Sequence, residues 1–127
     1  MAKTVIYSGD APEPIGPYSQ AIQIGNQLWV SGQIAIDRTS GQLINSDIQA
    51  ETRQVMENLQ HILTAAGFTF DHVVKCSIFL KDMNKFPQVN EVYGSFFTTQ
   101  PPARETVEVS RLPKDVRVEI SCIAVRA

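Results

Sequence analysis

The chain is 127 residues long, 43% hydrophobic and only 19% charged, with a formal net charge of -2. That length is one domain of ordinary size, residues 1–127, and the acidic balance argues against a general nucleic-acid binder, which needs a basic face to displace counterions. No apolar run approaches the roughly 20 residues that span a bilayer, and Met1-Ala2-Lys3-Thr4 lacks a hydrophobic signal core, so a soluble, cytoplasmic protein is expected.

Residues 4–7 suit a short strand, and residues 8–19, with Pro12, Pro14 and Pro17, an ordered loop. Residues 21–24 and 28–34 read as a hairpin turned by Gly25-Asn26. Residues 37–42 are a second turn-rich stretch. Ile48, Thr52, Val55, Met56, Leu59, Ile62, Leu63 and Ala66 recur at helical spacing, with Ser46 and Gln49 placed for a capping box and Gly67 for a C-terminal stop. Residues 72–80 read as a strand, with Val74, Cys76, Ile78 and Leu80 on one face and Val73, Lys75, Ser77 and Phe79 on the other. Residues 84–97 read as a second helix with Pro87 in its first turn, ended by Pro101-Pro102. Residues 103–109 and 116–125 supply the last strands, linked by a turn at Pro113.

The order β-β-β-α-β-α-β-β gives an α+β domain in which two helices cover one face of a mixed sheet. The other face still carries Val73, Phe79, Val107 and Val109. A second copy of the chain is its expected cover, which makes a symmetric oligomer.

Few residues carry chemistry. Cys76 and Cys122 form no Cys-x-x-Cys pair and no disulfide framework, and His61 and His72 lack metal-ligand spacing, so neither a metal nor a cofactor is expected. Arg104 opens a strand after a proline break, where its fork can grip a carboxylate; a solvated strand-end arginine has the same pattern. Glu119 shares a strand face with Arg117 and Ser121 and can hold a water or act as a base, or pair with Arg117 or Arg104. Gly32, in Ser31-Gly32-Gln33, marks either a close ligand approach or a bulge. Tyr18 is a loop aromatic, and Asn90 lies four residues after Phe86 and three before Tyr93 on the second helix.

These residues fall in blocks that resemble the RidA (YjgF/YER057c/UK114) family: Ile15-Gly16-Pro17-Tyr18-Ser19-Gln20, Val30-Ser31-Gly32-Gln33-Ile34, Val89-Asn90-Glu91-Val92-Tyr93, Pro102-Ala103-Arg104, and Arg111-Leu112-Pro113-Lys114-Asp115-Val116 with Val118-Glu119-Ile120. Their order and spacing match over essentially the whole chain. The resemblance implies a chorismate-mutase-like fold, a homotrimer built around a sheet barrel, and sites in the clefts between subunits. It implies a cofactor-independent 2-iminobutanoate/2-iminopropanoate deaminase. Such an enzyme hydrolyses imines and enamines released by pyridoxal-phosphate-dependent dehydratases to 2-oxo acids and ammonia.

On that resemblance Arg104 clamps the substrate carboxylate and Glu119 holds or activates water. Backbone groups near Ser31, Gly32 and Thr106 meet the head group, and Tyr18 and Asn90 line the cleft from a neighbouring subunit. Three positions depart from the pattern: Thr106 where deaminases often have cysteine, Glu105 where a small residue is usual, and Ala35 for a common proline. Strand alternation should turn Glu105 away from Arg104. A non-catalytic carboxylate-binding regulator or a holdase chaperone using the same cleft is the alternative. A ribonuclease is disfavoured by the acidic balance and the missing histidine pair.

Overall fold

A computed structural model describes residues 2–127. Its strands are β1 (Thr4–Ile6), β2 (Ala21–Ile24), β3 (Gln27–Gln33), β4 (Val73–Leu80), β5 (Ala103–Glu108) and β6 (Val118–Val125); its helices are α1 (Ile48–Ala65) and α2 (Phe86–Gly94). The strands form one sheet in the order β1-β2-β3-β6-β4-β5. Every pairing is antiparallel except β4 with β5, which α2 joins as a parallel crossover.

Helix α1 forms because its apolar residues repeat at the helical period, and it buries Val55, Met56, Leu59, Ile62 and Leu63. Facing them are Leu28 and Val30 of β3, Cys76, Ile78 and Leu80 of β4, and Val118, Ile120 and Cys122 of β6. Each such side chain contributes about 1.5–3 kcal/mol on leaving water. The helix begins one residue later than the capping-box reading places it: Asp47, not Ser46, accepts the Ala50 N–H at 2.7 Å. Gly67 takes φ 78, as the helix stop requires. Helix α2 is also shorter than its periodic stretch, because Met83–Lys85 makes a separate 3₁₀ turn ahead of Phe86.

Two buried amides connect this core to the loops. Asn58 Nδ2 donates to the carbonyls of Ile34 and Ile36 at 2.9 Å each, pinning the chain where it leaves β3. Gln20 accepts the Ser8 N–H at 2.6 Å and donates to Pro12 O at 2.9 Å, which sets the proline-rich loop. Buried polar groups are costly unless paired, so these bonds select one loop conformation.

The second sheet face has no helix over it. Trp29, Val74, Val107 and Ile24 are 49%, 46%, 41% and 40% exposed there. The expected membership of this face changes at one place. The β4–β6 register shifts between Val73 and Lys75. That bulge turns Val73 into the core and Val74 outward, the reverse of simple alternation.

Candidate active site

Arg104 is the second residue of β5, directly after the proline pair, and lies opposite Cys76 of β4. It therefore projects on the helix-covered face at the sheet edge, where α2 receives it. Asn90 Oδ1 accepts from Arg104 Nη1 at 2.7 Å, and the guanidinium carbon sits 5.2 Å from the Phe86 ring centre and 5.1 Å from that of Tyr93. Phe86, Asn90 and Tyr93 occur at i, i+4 and i+7, so one stripe of a short helix holds one cation. Among the described residues no carboxylate pairs with Arg104. Its remaining N–H groups border a cavity of about 390 Å³ lined by Asn90, Tyr93, Gly94, Pro101 and Pro102.

Asn90 thus contacts Arg104 of its own chain. Thr106 projects on the same face, opposite Ile78, with Oγ1 buried and without a hydrogen-bond partner. Burial raises the Tyr93 phenol and the Cys76 thiol above their usual ranges, so neither ionises easily. Glu105 points the other way: it lies opposite Ser77, accepts from the Ser77 hydroxyl, and pairs with Lys75 at 2.8 Å. Lys75 and Ser77 hold its carboxyl below the usual range, and it does not compete for Arg104.

Glu119 lies on the opposite, uncovered face, beside Phe79. The β3–β6 register shifts between Val30 and Gln33, so Gly32 sits in a bulge against Glu119. A β-carbon at position 32 would fall 2.2 Å from Glu119 Oε2 and 2.9 Å from its carboxyl carbon. Of the two readings of this glycine the bulge is the one seen, and the Glu119 carboxylate fills the space a side chain would take. Ser31 fixes the local backbone, its N–H donating to Gln20 O at 2.9 Å and its hydroxyl to Ser19 O at 2.6 Å. Tyr18 and Gly32 border a cavity of about 270 Å³.

Neither arginine expected to pair with Glu119 does so. Arg117 instead reaches across to α1, where its Nε donates to Glu51 at 2.7 Å, and Arg104 is on the other face. Glu119 has no hydrogen-bond or ion-pair partner among the described residues, and burial pushes its carboxyl above the usual carboxylate range. An unpaired, half-buried carboxylate of this kind can hold a water and accept its proton. His72 is spent on a turn, accepting the Thr69 N–H at 2.9 Å, and joins neither half.

The seven expected residues therefore form two groups: Arg104, Asn90 and Thr106 on the helix side, and Glu119, Gly32, Ser31 and Tyr18 on the loop side. Phe86 and Tyr93 are additions to the first group, and their spacing from Asn90 was the available signal. Lys114, bordering the second cavity with φ 55, is a further addition that local pattern does not reveal.

The family model described as Endoribonuclease L-PSP matches residues 8–126. The crystal structure of the E. coli YjgF gene product superposes with a TM-score of 0.94 at 43% identity, covering 98% of this chain and 99% of that one. The chain belongs to the RidA/YjgF family. Among its relatives, a RutC family protein of Pyrococcus horikoshii is 54% identical over 122 residues, covering 96% of this chain and 97% of that protein. Mouse 2-iminobutanoate/2-iminopropanoate deaminase is 45% identical over 126 residues, covering 99% and 93% respectively. The RidA/YjgF family thus contains proteins named as imine deaminases and others with no named activity.

Proposed function

We propose that this RidA/YjgF protein is a cofactor-independent hydrolase of small 2-imino acids, chiefly 2-iminobutanoate and 2-iminopropanoate. The observation that carries the reading is the pairing of two incomplete groups: an arginine fork with no carboxylate and a raised carboxylate with no partner. They lie on opposite sheet faces, so one chain cannot bring both to one small substrate. A neighbouring copy supplies the missing half, in a homotrimer whose uncovered faces pack on one another through Trp29, Val74 and Val107.

Arg104 holds the substrate carboxylate through a two-point contact, while Asn90, Phe86 and Tyr93 fix the fork. An enamine first takes a proton at C3 to become the iminium. Glu119 of the adjoining copy then accepts a proton from water as the water oxygen bonds to C2. The carbinolamine so formed receives that proton on nitrogen; as the C–N bond breaks and ammonia leaves, Glu119 takes the hydroxyl proton, which frees the 2-oxo acid, and releases that proton to the solvent that supplied the one at C3. The imine is already electrophilic, so positioning and one general base suffice. Pyridoxal-phosphate-dependent dehydratases in the cytoplasm are the matching source of substrate.

The test generates 2-iminobutanoate with a threonine dehydratase, traps it with semicarbazide and titrates in this protein. Semicarbazone formation should fall, and Arg104→Ala should abolish the effect with the sedimentation behaviour unchanged. Full activity in Arg104→Ala refutes the clamp. Binding of 2-oxobutanoate without hydrolysis favours the non-catalytic carboxylate binder.

A further inference from the structure

A further cavity adjoins the loop half of the site. It is an open groove of about 560 Å³ between the proline-rich loop and residues 36–45, and it shares Pro12, Glu13, Ile15, Ile36 and Lys114 with the cavity that Gly32 borders. The shared residues make the two cavities adjacent, and together they are taken as a channel that begins at Gly32, beside Glu119. A four-carbon imino acid leaves most of it empty, whereas cavities of this size hold much larger ligands.

The walls are preformed. Arg38 Nη1 donates to Ala11 O at 2.7 Å, and its Nη2 meets Glu13 at 3.1 Å and the Tyr7 hydroxyl at 3.0 Å; Tyr7 donates in turn to Glu13. Arg38 and Glu13 therefore neutralise each other. Lys114 makes no ion pair or hydrogen bond through its side chain among the described residues, so it carries the channel's uncompensated charge. Its backbone is left-handed at φ 55, ψ 21, followed by Asp115 at φ 55. Two successive non-glycine residues in that region are held only under constraint. Here Arg111 clamps Asp115 at 2.6 and 3.1 Å, and the Asp115 N–H donates to Leu112 O at 3.0 Å. Ile15, 77% exposed, and Ile36 supply apolar wall in the cavity that Lys114 also lines.

We propose that this channel is a subsite for a second acidic group, so that the site accepts 2-imino acids whose side chain ends in a carboxylate, with Lys114 as the specificity-determining cation. Methylene groups of such a side chain lie along Ile15 and Ile36 and the terminal carboxylate meets Lys114. The substrate class rests on the imine-hydrolase reading; the anion subsite does not.

The test is calorimetric binding of 2-oxobutanoate and 2-oxoglutarate to the intact protein and to Lys114→Gln and Lys114→Arg. A charge-assisted contact predicts 2-oxoglutarate bound about tenfold tighter than 2-oxobutanoate. Lys114→Gln should remove that preference and Lys114→Arg keep it. Equal affinities in the wild type, a preference that survives Lys114→Gln, or no binding of either acid overturns the subsite. Imine hydrolysis is followed in parallel: the preference without hydrolysis refutes the hydrolase and leaves the subsite, and hydrolysis without the preference does the reverse.

Discussion

Replacing Gly32 by alanine separates catalysis from stability at a single carbon atom. The new β-carbon would lie 2.2 Å from Glu119 Oε2, where ordinary contact needs about 3.4 Å or more, so the carboxylate must withdraw by roughly 1 Å. Misplacing a reacting group by that distance costs on the order of 100-fold, or about 2.7 kcal/mol of transition-state stabilisation. Folding should not suffer. Gly32 is not among the positive-φ glycines, Glu119 is only half-buried, and alanine reduces the entropy of the unfolded chain by about 0.4–1 kcal/mol. The semicarbazide competition assay should therefore show kcat/KM down about 100-fold while a thermal melt shows Tm unchanged or slightly raised. The double variant with Glu119→Gln should be little worse than either single one, since both disable one group. Wild-type kcat/KM in a folded Gly32→Ala protein would refute the argument that the placement of Glu119 matters.

Burial raises the Glu119 carboxyl, so the acid limb of the kcat/KM profile should have its midpoint above the usual carboxylate range, and activity should fall as pH drops through it. The same shift disfavours the charged folded state once pH exceeds the raised pKa; at neutral pH Glu119→Gln should match or exceed the wild type in stability while losing that limb. Glu51, 1% exposed, accepts the Arg117 N–H at 2.8 Å and its Nε at 2.7 Å, locking α1 to the entry of β6. Glu51→Ala should cost about 2–3 kcal/mol in urea unfolding, and an unchanged midpoint would show that solvent replaces the carboxylate.

Helix α1 was legible because its apolar spacing is a local property. Its cap was not settled locally: Ser46 and Asp47 are both competent, and only Asp47 reaches the Ala50 N–H. The Val73–Val74 reversal was hidden for a deeper reason, since a bulge is defined by the partner strand and single-strand alternation contains no partner. Arg104 and Glu119 were recognisable by chemistry and by family resemblance. Their opposite placement needed the sheet order, which puts β5 beside β4 under α2. The Asn90–Arg104 contact was not legible either, because spacing along a helix does not show which strand residue the helix meets.

If Arg104 and Glu119 act together as proposed, their division between two faces makes folding and catalytic competence separate events. On the proposed mechanism a newly folded chain carries every needed side chain in its final place and is still inert, because the two groups point away from each other. Activity should then depend on chain concentration more steeply than linearly near the assembly threshold. Two inactive variants, one lacking the arginine and one the glutamate, should recover function when mixed, since each holds intact the half that the other lacks.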